Sequence, residues 1–310
     1  MSRTNGSRLG SKAEAITLGP NSITWRALSD WRILLCGGRS LLLQVAHPVV
    51  AAGVSQHSNF TVDPWKRLIG TLELYFGGVI FGWPAGAAAA ATRLRSTHAR
   101  IRGVDALGRP YRALEPGVFH WVHATLVDSS AVLLEHFGTP LRGSELTRFY
   151  DEMREVGRLC GLRDREMPPD WASFREYFDE MVRTALEDTR VVREVLSMLA
   201  NAPRPCSLPV PDLIWRWCLW PSVGHLVWLC SIGLLPVPLR ERLEIPWTRA
   251  QEIELRVNAA LLRRAVPLLP ERLRMHPWAY AAYYGAGRLV SPGCDDSGRS
   301  ARSSGTTGPI

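Results

Sequence analysis

The chain lacks most of what marks a secreted, membrane-spanning or nucleotide-binding protein. Its six cysteines (Cys36, Cys160, Cys206, Cys218, Cys230, Cys294) form no CxxC pair and no metal-ligand spacing. Reduced, buried thiols are the expectation for such a set. The polar stretch Met1 to Pro20 has no apolar signal core, so an intracellular, cytoplasmic location is expected. No uninterrupted apolar run approaches the ~20 residues of a spanning helix. The tryptophan-rich stretch Leu213–Leu239 is interrupted by Arg216, His225 and several Pro and Gly residues. It suits core helices or a surface resting on a membrane, not a span. Gly37-Gly38-Arg39-Ser40 lacks the Gly-Lys-Ser/Thr of a phosphate loop. No nucleophile elbow or Cys/His cue points to a hydrolase. The net charge of +8 is diffuse, without zinc-finger spacing or an arginine-rich arm, so no nucleic-acid partner is expected.

Strand signals are also scarce: between residues 20 and 290 no Asn-Gly or Asp-Gly turn occurs, and β-branched alternation is rare. What is present is helical. A short helix is expected from about Ser29 to Cys36, broken by Gly37-Gly38, and then a buried apolar helix from Ser40 to about Val54. Asp63-Pro64 starts another, with Asp as N-cap and Pro at the first position. Tyr75 to Gly82 continues it. The Ala-rich segment Pro84–Arg102 reads as one helix closed by Gly103, followed by a turn-rich loop, Val104 to Glu115. Pro116 opens the next helix. Amphipathic helices cover Ser144–Gly161 and Asp170–Ala200, and Ala202–Pro211 is a proline-rich hinge. Thr248 and Gln251 form a capping box for a helix reaching Val266, and a last helix starts near Pro277. The whole is an all-α bundle over residues 20–290, between disordered segments 1–19 and 291–310.

Candidate chemistry begins at Arg95, His98 and Arg102, at i, i+3 and i+7 on one helical face. No acidic residue occurs from Pro84 through Val104. One imidazole between two cations suits an anionic cofactor held through His98. Three alternatives stand side by side. The first is a haem pocket, with His98 as axial ligand, Arg95 and Arg102 at the propionates, and Arg67 with Thr71 as donors over the open side. The second is a non-haem metal site drawn from His47, His57, His120 and His123 with Asp63, Glu73 or Asp128. In the third, these groups are satisfied core polar residues or interhelix ties. His136, His225 and His276 are assigned to structure or surface.

A longer succession sharpens this. Leu42-Leu43-Gln44-Val45-Ala46-His47-Pro48, Ala51-Ala52-Gly53-Val54, His57-Ser58, Phe60, Asp63-Pro64, Arg67, Thr71, Arg95-x-x-His98-x-x-x-Arg102-Gly103 and Trp121-Val122-His123-Ala124-Thr125 resemble the catalytic domain of latex clearing proteins (rubber oxygenases) and the fungal MpaB-type oxygenase. The likeness runs from about Trp25 to Gly285. It implies an all-α, globin-like core around haem b, with the proximal histidine at His98 flanked by Arg95 and Arg102. The distal arginine and threonine fall on Arg67 and Thr71. It further implies iron chemistry with dioxygen on an apolar, isoprenoid or prenylated substrate. The lysine that precedes the distal threonine in the rubber-cleaving branch is Gly70 here, which points to a smaller substrate than rubber. A haem or apolar-ligand carrier without turnover, and a non-haem iron oxidase using His120 and His123, are the alternative functions.

Overall fold

The computed structural model describes residues 18–105, 107–205 and 210–285. The expected disordered ends lie outside these residues, apart from residues 18 and 19, as do Cys206, Cys294 and the middle of the proline-rich hinge. The fold is all-α, with one two-stranded antiparallel ribbon.

Helices α1 (Ile23–Leu28), α2 (Gly37–Val45), α3 (Pro48–His57), α4 (Pro64–Leu72) and α5 (Ala85–His98) come first. Strands β1 (Arg102–Val104) and β2 (Pro110–Arg112) follow. Then come α6 (Pro116–Phe137), α7 (Ser144–Leu159), α8 (Trp171–Thr184) and α9 (Arg190–Ala200). The short α10 (Asp212–Ile214) leads to α11 (Trp220–Gly233), α12 (Val237–Arg242), α13 (Arg249–Ala265), α14 (Glu271–Arg274) and α15 (Pro277–Tyr284). Helix α6 runs through the middle, packed by α2, α7 and α13. Its Trp121 and Phe137 are wholly buried, as are Phe149 of α7 and Phe174 and Phe178 of α8. Each such side chain contributes roughly 1.5–3 kcal/mol by leaving water.

Buried polar ties fix the helices against one another. Arg39 of α2 is 2% exposed and donates to Asp128 and Ser129 of α6 and, through Nε at 2.7 Å, to the Leu234 carbonyl. Asp128 also accepts from Arg175 of α8. Glu152 of α7, fully buried, accepts the free N–H groups of Ile23 and Thr24 at 3.2 and 2.7 Å, so a distant carboxylate caps α1.

Several boundaries differ from the sequence expectation. Gly37 and Gly38 do not break a helix; they begin α2, and Trp31–Cys36 before them is a 3₁₀ segment. Gly38 is there because α11 passes close by: a Cβ on it would meet Ser231 Oγ at 2.0 Å. The apolar run does not continue to Val54 as one helix. Proline disfavours the helical conformation at the residue before it, His47 is extended (φ −79°, ψ 122°), and the chain turns by 105° there. Asp63 and Pro64 start α4 as expected, with Asp63 accepting from Lys66 N–H. Residues Glu73–Ile80 form a π-helical segment. The Asp170–Ala200 expectation is two helices, because Glu187 N–H bonds the Ala46 carbonyl and Thr189 Oγ1 the Val45 carbonyl, which draws the connecting turn onto α2.

The largest correction concerns the Ala-rich helix. It ends at His98, not Arg102, and the expected loop after it contains the ribbon. The i+7 relation of Arg102 to Arg95 on one helical face is therefore lost. What replaces it is a strand seated on α3: Gln56 Nε2 donates to the Val104 carbonyl at 2.8 Å.

Candidate functional site

His98 stands at the end of α5, where the first bonds beyond the helix are short turns from Arg100 N–H to Thr97 O and Ile101 N–H to His98 O. Its Nδ1 lies 2.8 Å from the Leu94 carbonyl. A carbonyl only accepts, so Nδ1 carries the proton and Nε2 keeps its lone pair. Metal-binding imidazoles are oriented in this way, the second nitrogen donating to a backbone carbonyl. Burial lowers the His98 pKa below the ordinary 6.5; the Leu94 bond opposes the shift, and the Arg67 charge adds to it. The ring is thus a neutral base with a fixed tautomer. Phe119 of α6 holds it edge-on, with ring centroids 5.8 Å apart.

His98 lines a cavity of about 540 Å³ together with Ala99, Ile101, Arg102, Arg112, Leu114, Glu115 and Pro116. Its volume is in the range of small-molecule sites, and it is open to solvent, with only His98 and Ile101 of its lining half-buried. Arg95 does not line it. Its side chain lies over Gly161 and faces an adjoining cavity of about 220 Å³ with Phe119, Cys160 and Glu166. Leu114 and Pro116 border both spaces.

Arg67 and Thr71 occupy one face of α4. Arg67 Nη1 donates to Thr71 Oγ1 at 2.7 Å, and that hydroxyl donates to the Arg67 carbonyl at 2.8 Å. The Arg67 side chain is accessible to water, yet desolvation lowers its pKa. Neither Arg67 nor Thr71 lines the His98 cavity, and both are exposed. The Arg67 charge is felt at His98, so the two face one another electrostatically. Helix α4 is amphipathic but buries none of its residues; Leu68 is 40% exposed. It is fixed from the side: Trp65 stands edge-on to Trp215 and Trp220 at 6.0 and 6.1 Å, and its indole donates to the Pro203 carbonyl.

The structure thus brings together His98 and Arg102 on one cavity and sets Arg67 near His98. Arg95 is turned to a neighbouring space. Sequence reasoning missed Arg112, which shares the cavity; the signal for it was the strand pairing, which no turn motif announces.

The other histidines have different surroundings. His123 donates from Nε2 to the Met153 carbonyl at 2.9 Å, and burial pushes its pKa down to about 4. His120 packs tilted against Tyr177 with ring centroids 4.6 Å apart, and burial, helped by His123, lowers its pKa to about 3. His276 donates to the Leu28 carbonyl and accepts from Ala279 N–H, capping α15. Among the described residues no group of three or more His, Cys, Asp and Glu side chains is placed to hold a metal ion. A site built from His120, His123 and a carboxylate therefore lacks its ligand set there. A cofactor held through a single imidazole makes no such demand.

Residues 25–264 match the family described as "ER-bound oxygenase mpaB/B'/Rubber oxygenase, catalytic domain". An uncharacterized protein of Mycobacterium bovis and another of Mycobacterium tuberculosis are each 23% identical to this chain over 243 residues, covering 77% of it and 91% of their own length. No solved structure matches the chain.

Proposed function

Because the chain belongs to the MpaB/rubber oxygenase catalytic-domain family, a family of oxygenases, we propose that it is a haem b-dependent oxygenase acting with dioxygen on an apolar, isoprenoid or prenylated small molecule. The observation that carries this reading is His98: a neutral imidazole, its Nδ1 proton committed to Leu94 and its Nε2 left without a protein partner, on a residue that lines a cavity of about 540 Å³. The haem supplies the redox-active iron and the dioxygen chemistry when bound.

The chain's own residues do the rest. His98 would hold the haem iron through its imidazole nitrogen. Arg102, whose guanidinium has no protein partner among the described residues, receives a propionate. Arg95 serves the adjoining cavity edge with its charge. Arg67 would supply the hydrogen-bond donor toward bound oxygen, and Thr71, whose proton is committed to the Arg67 carbonyl, would hold that guanidinium in place. The apolar substrate reaches the site past α4 and the Trp217 region, where Val62, Leu213 and Trp217 are 83%, 70% and 73% exposed. The same surface suits peripheral contact with a membrane; among the described residues no single helix is long and apolar enough to cross one. The catalytic domain spans 20–290. A cytoplasmic setting agrees with free Cys36, Cys160 and Cys230, all buried.

The test is oxygen uptake by the haemin-reconstituted chain with short isoprenoids. Consumption above the haem-only background supports an oxygenase. A Soret-bearing protein with no added consumption across apolar substrates is a carrier instead.

A further inference from the structure

Arg102 and Arg112 stand directly opposite one another in the ribbon. Alternation sends their neighbours, Gly103 and Tyr111, to the other face. That face is fixed on α3: Tyr111 is 3% exposed, and its hydroxyl donates to Gln56 Oε1 at 2.8 Å. Gly103 is held so closely beneath that a Cβ would meet Gln56 Oε1 at 2.5 Å and Tyr111 Oη at 2.9 Å. A one-residue slip would take Tyr111 out of its seat, so the register is locked. Both arginines are thereby held on the face that borders the His98 cavity.

Like charges directly opposite one another in a strand pair are destabilising. Among the described residues neither guanidinium makes a hydrogen bond or ion pair; Glu115 borders the same cavity but is bonded to neither. Tyr111 and Gly103 hold the two exposed cations side by side on the border of the cavity, where water screens their repulsion and both guanidiniums are open to an anionic ligand. We infer that Arg112 joins Arg102 in a cross-strand clamp for the carboxylates of the porphyrin bound at His98. The inference rests on the haem reading above and adds Arg112 to it.

The probes are haemin and iron protoporphyrin dimethyl ester, which keeps the macrocycle and iron but has no free carboxylates. Each is titrated into wild-type protein, Arg112→Gln and Arg112→Lys by Soret absorbance, and the ligand-free proteins are melted in parallel. Arg112→Gln should bind haemin about five- to tenfold more weakly, the scale of one charge-assisted contact. Arg112→Lys should recover part of that loss. All three should bind the dimethyl ester alike. Ligand-free Arg112→Gln should melt no lower than wild type, since only a screened repulsion has been removed. Equal haemin affinity in wild type and Arg112→Gln, or the same loss with the ester, overturns the clamp while leaving His98 as ligand. If wild type takes up neither probe, the haem reading fails and the clamp fails with it.

Discussion

Thr71 and Arg67 are bonded twice: the arginine donates to the threonine hydroxyl at 2.7 Å, and the hydroxyl donates to the arginine's own carbonyl at 2.8 Å. The hydroxyl's single proton is committed to the backbone, so Thr71 acts first as the clip that aims the guanidinium. The residue that carries charge toward His98 is Arg67.

This pair behaves as one unit. Thr71→Val keeps the shape and removes the clip; turnover should fall about tenfold or more, toward the loss typical of a misdirected donor. Arg67→Ala should cost at least as much. The double variant should be no worse than Arg67→Ala alone, because coupled residues are not additive. Losses in oxygen uptake that simply multiply would show that the two act independently.

Arg39 and Asp128 predict a stability effect away from the site. Removing Arg39 leaves a fully buried carboxylate with only Arg175 beside it. Breaking a buried pair in this way costs about 3–5 kcal/mol; the remaining Arg175 contact puts Arg39→Met near the lower end. Urea unfolding checks it, and an unchanged midpoint contradicts it.

Acid should destabilise the fold before its carboxylates titrate. Burial holds His120 at about 3 and His123 and His276 at about 4, against 6.5 for a free histidine. Below pH 6.5 the unfolded chain takes up these protons and the folded chain does not, so the stabilisation present at pH 7 is lost progressively down to about pH 4. Each histidine contributes a slope of up to about 1.4 kcal/mol per pH unit. Unfolding midpoints between pH 7 and 4.5 should fall steadily. His276→Gln should flatten the slope by one histidine's share, and a flat profile in wild type would count against buried neutral histidines.

Much of this was legible in the residues themselves. Local signals placed helix starts well: Asp63-Pro64 opens α4, Pro116 opens α6, and Thr248 with Gln251 forms the capping box of α13. Their physics is contained within one turn of chain. The failures lie where a distant element decides. Gly38 looked like a breaker because nothing in its neighbourhood announces Ser231. The run through Arg102 looked helical because Ala-rich propensity carries no trace of Tyr111 and Gln56, which draw Gly103 into a strand. His98 was found from its two cationic neighbours, yet only Arg102 shares its cavity; Arg95 turns toward Gly161. The tautomer of His98 depends on one 2.8 Å contact to Leu94 that sequence spacing permits but does not require.

The central claim is that His98 Nε2 ligates haem iron, and visible absorption of the haemin-titrated chain tests it most directly. Wild type should show a sharp Soret band that saturates at one haemin per chain. His98→Ala should lose that band or shift it, and added imidazole should restore it. A saturating band identical in wild type and His98→Ala, unaffected by imidazole, would contradict the account.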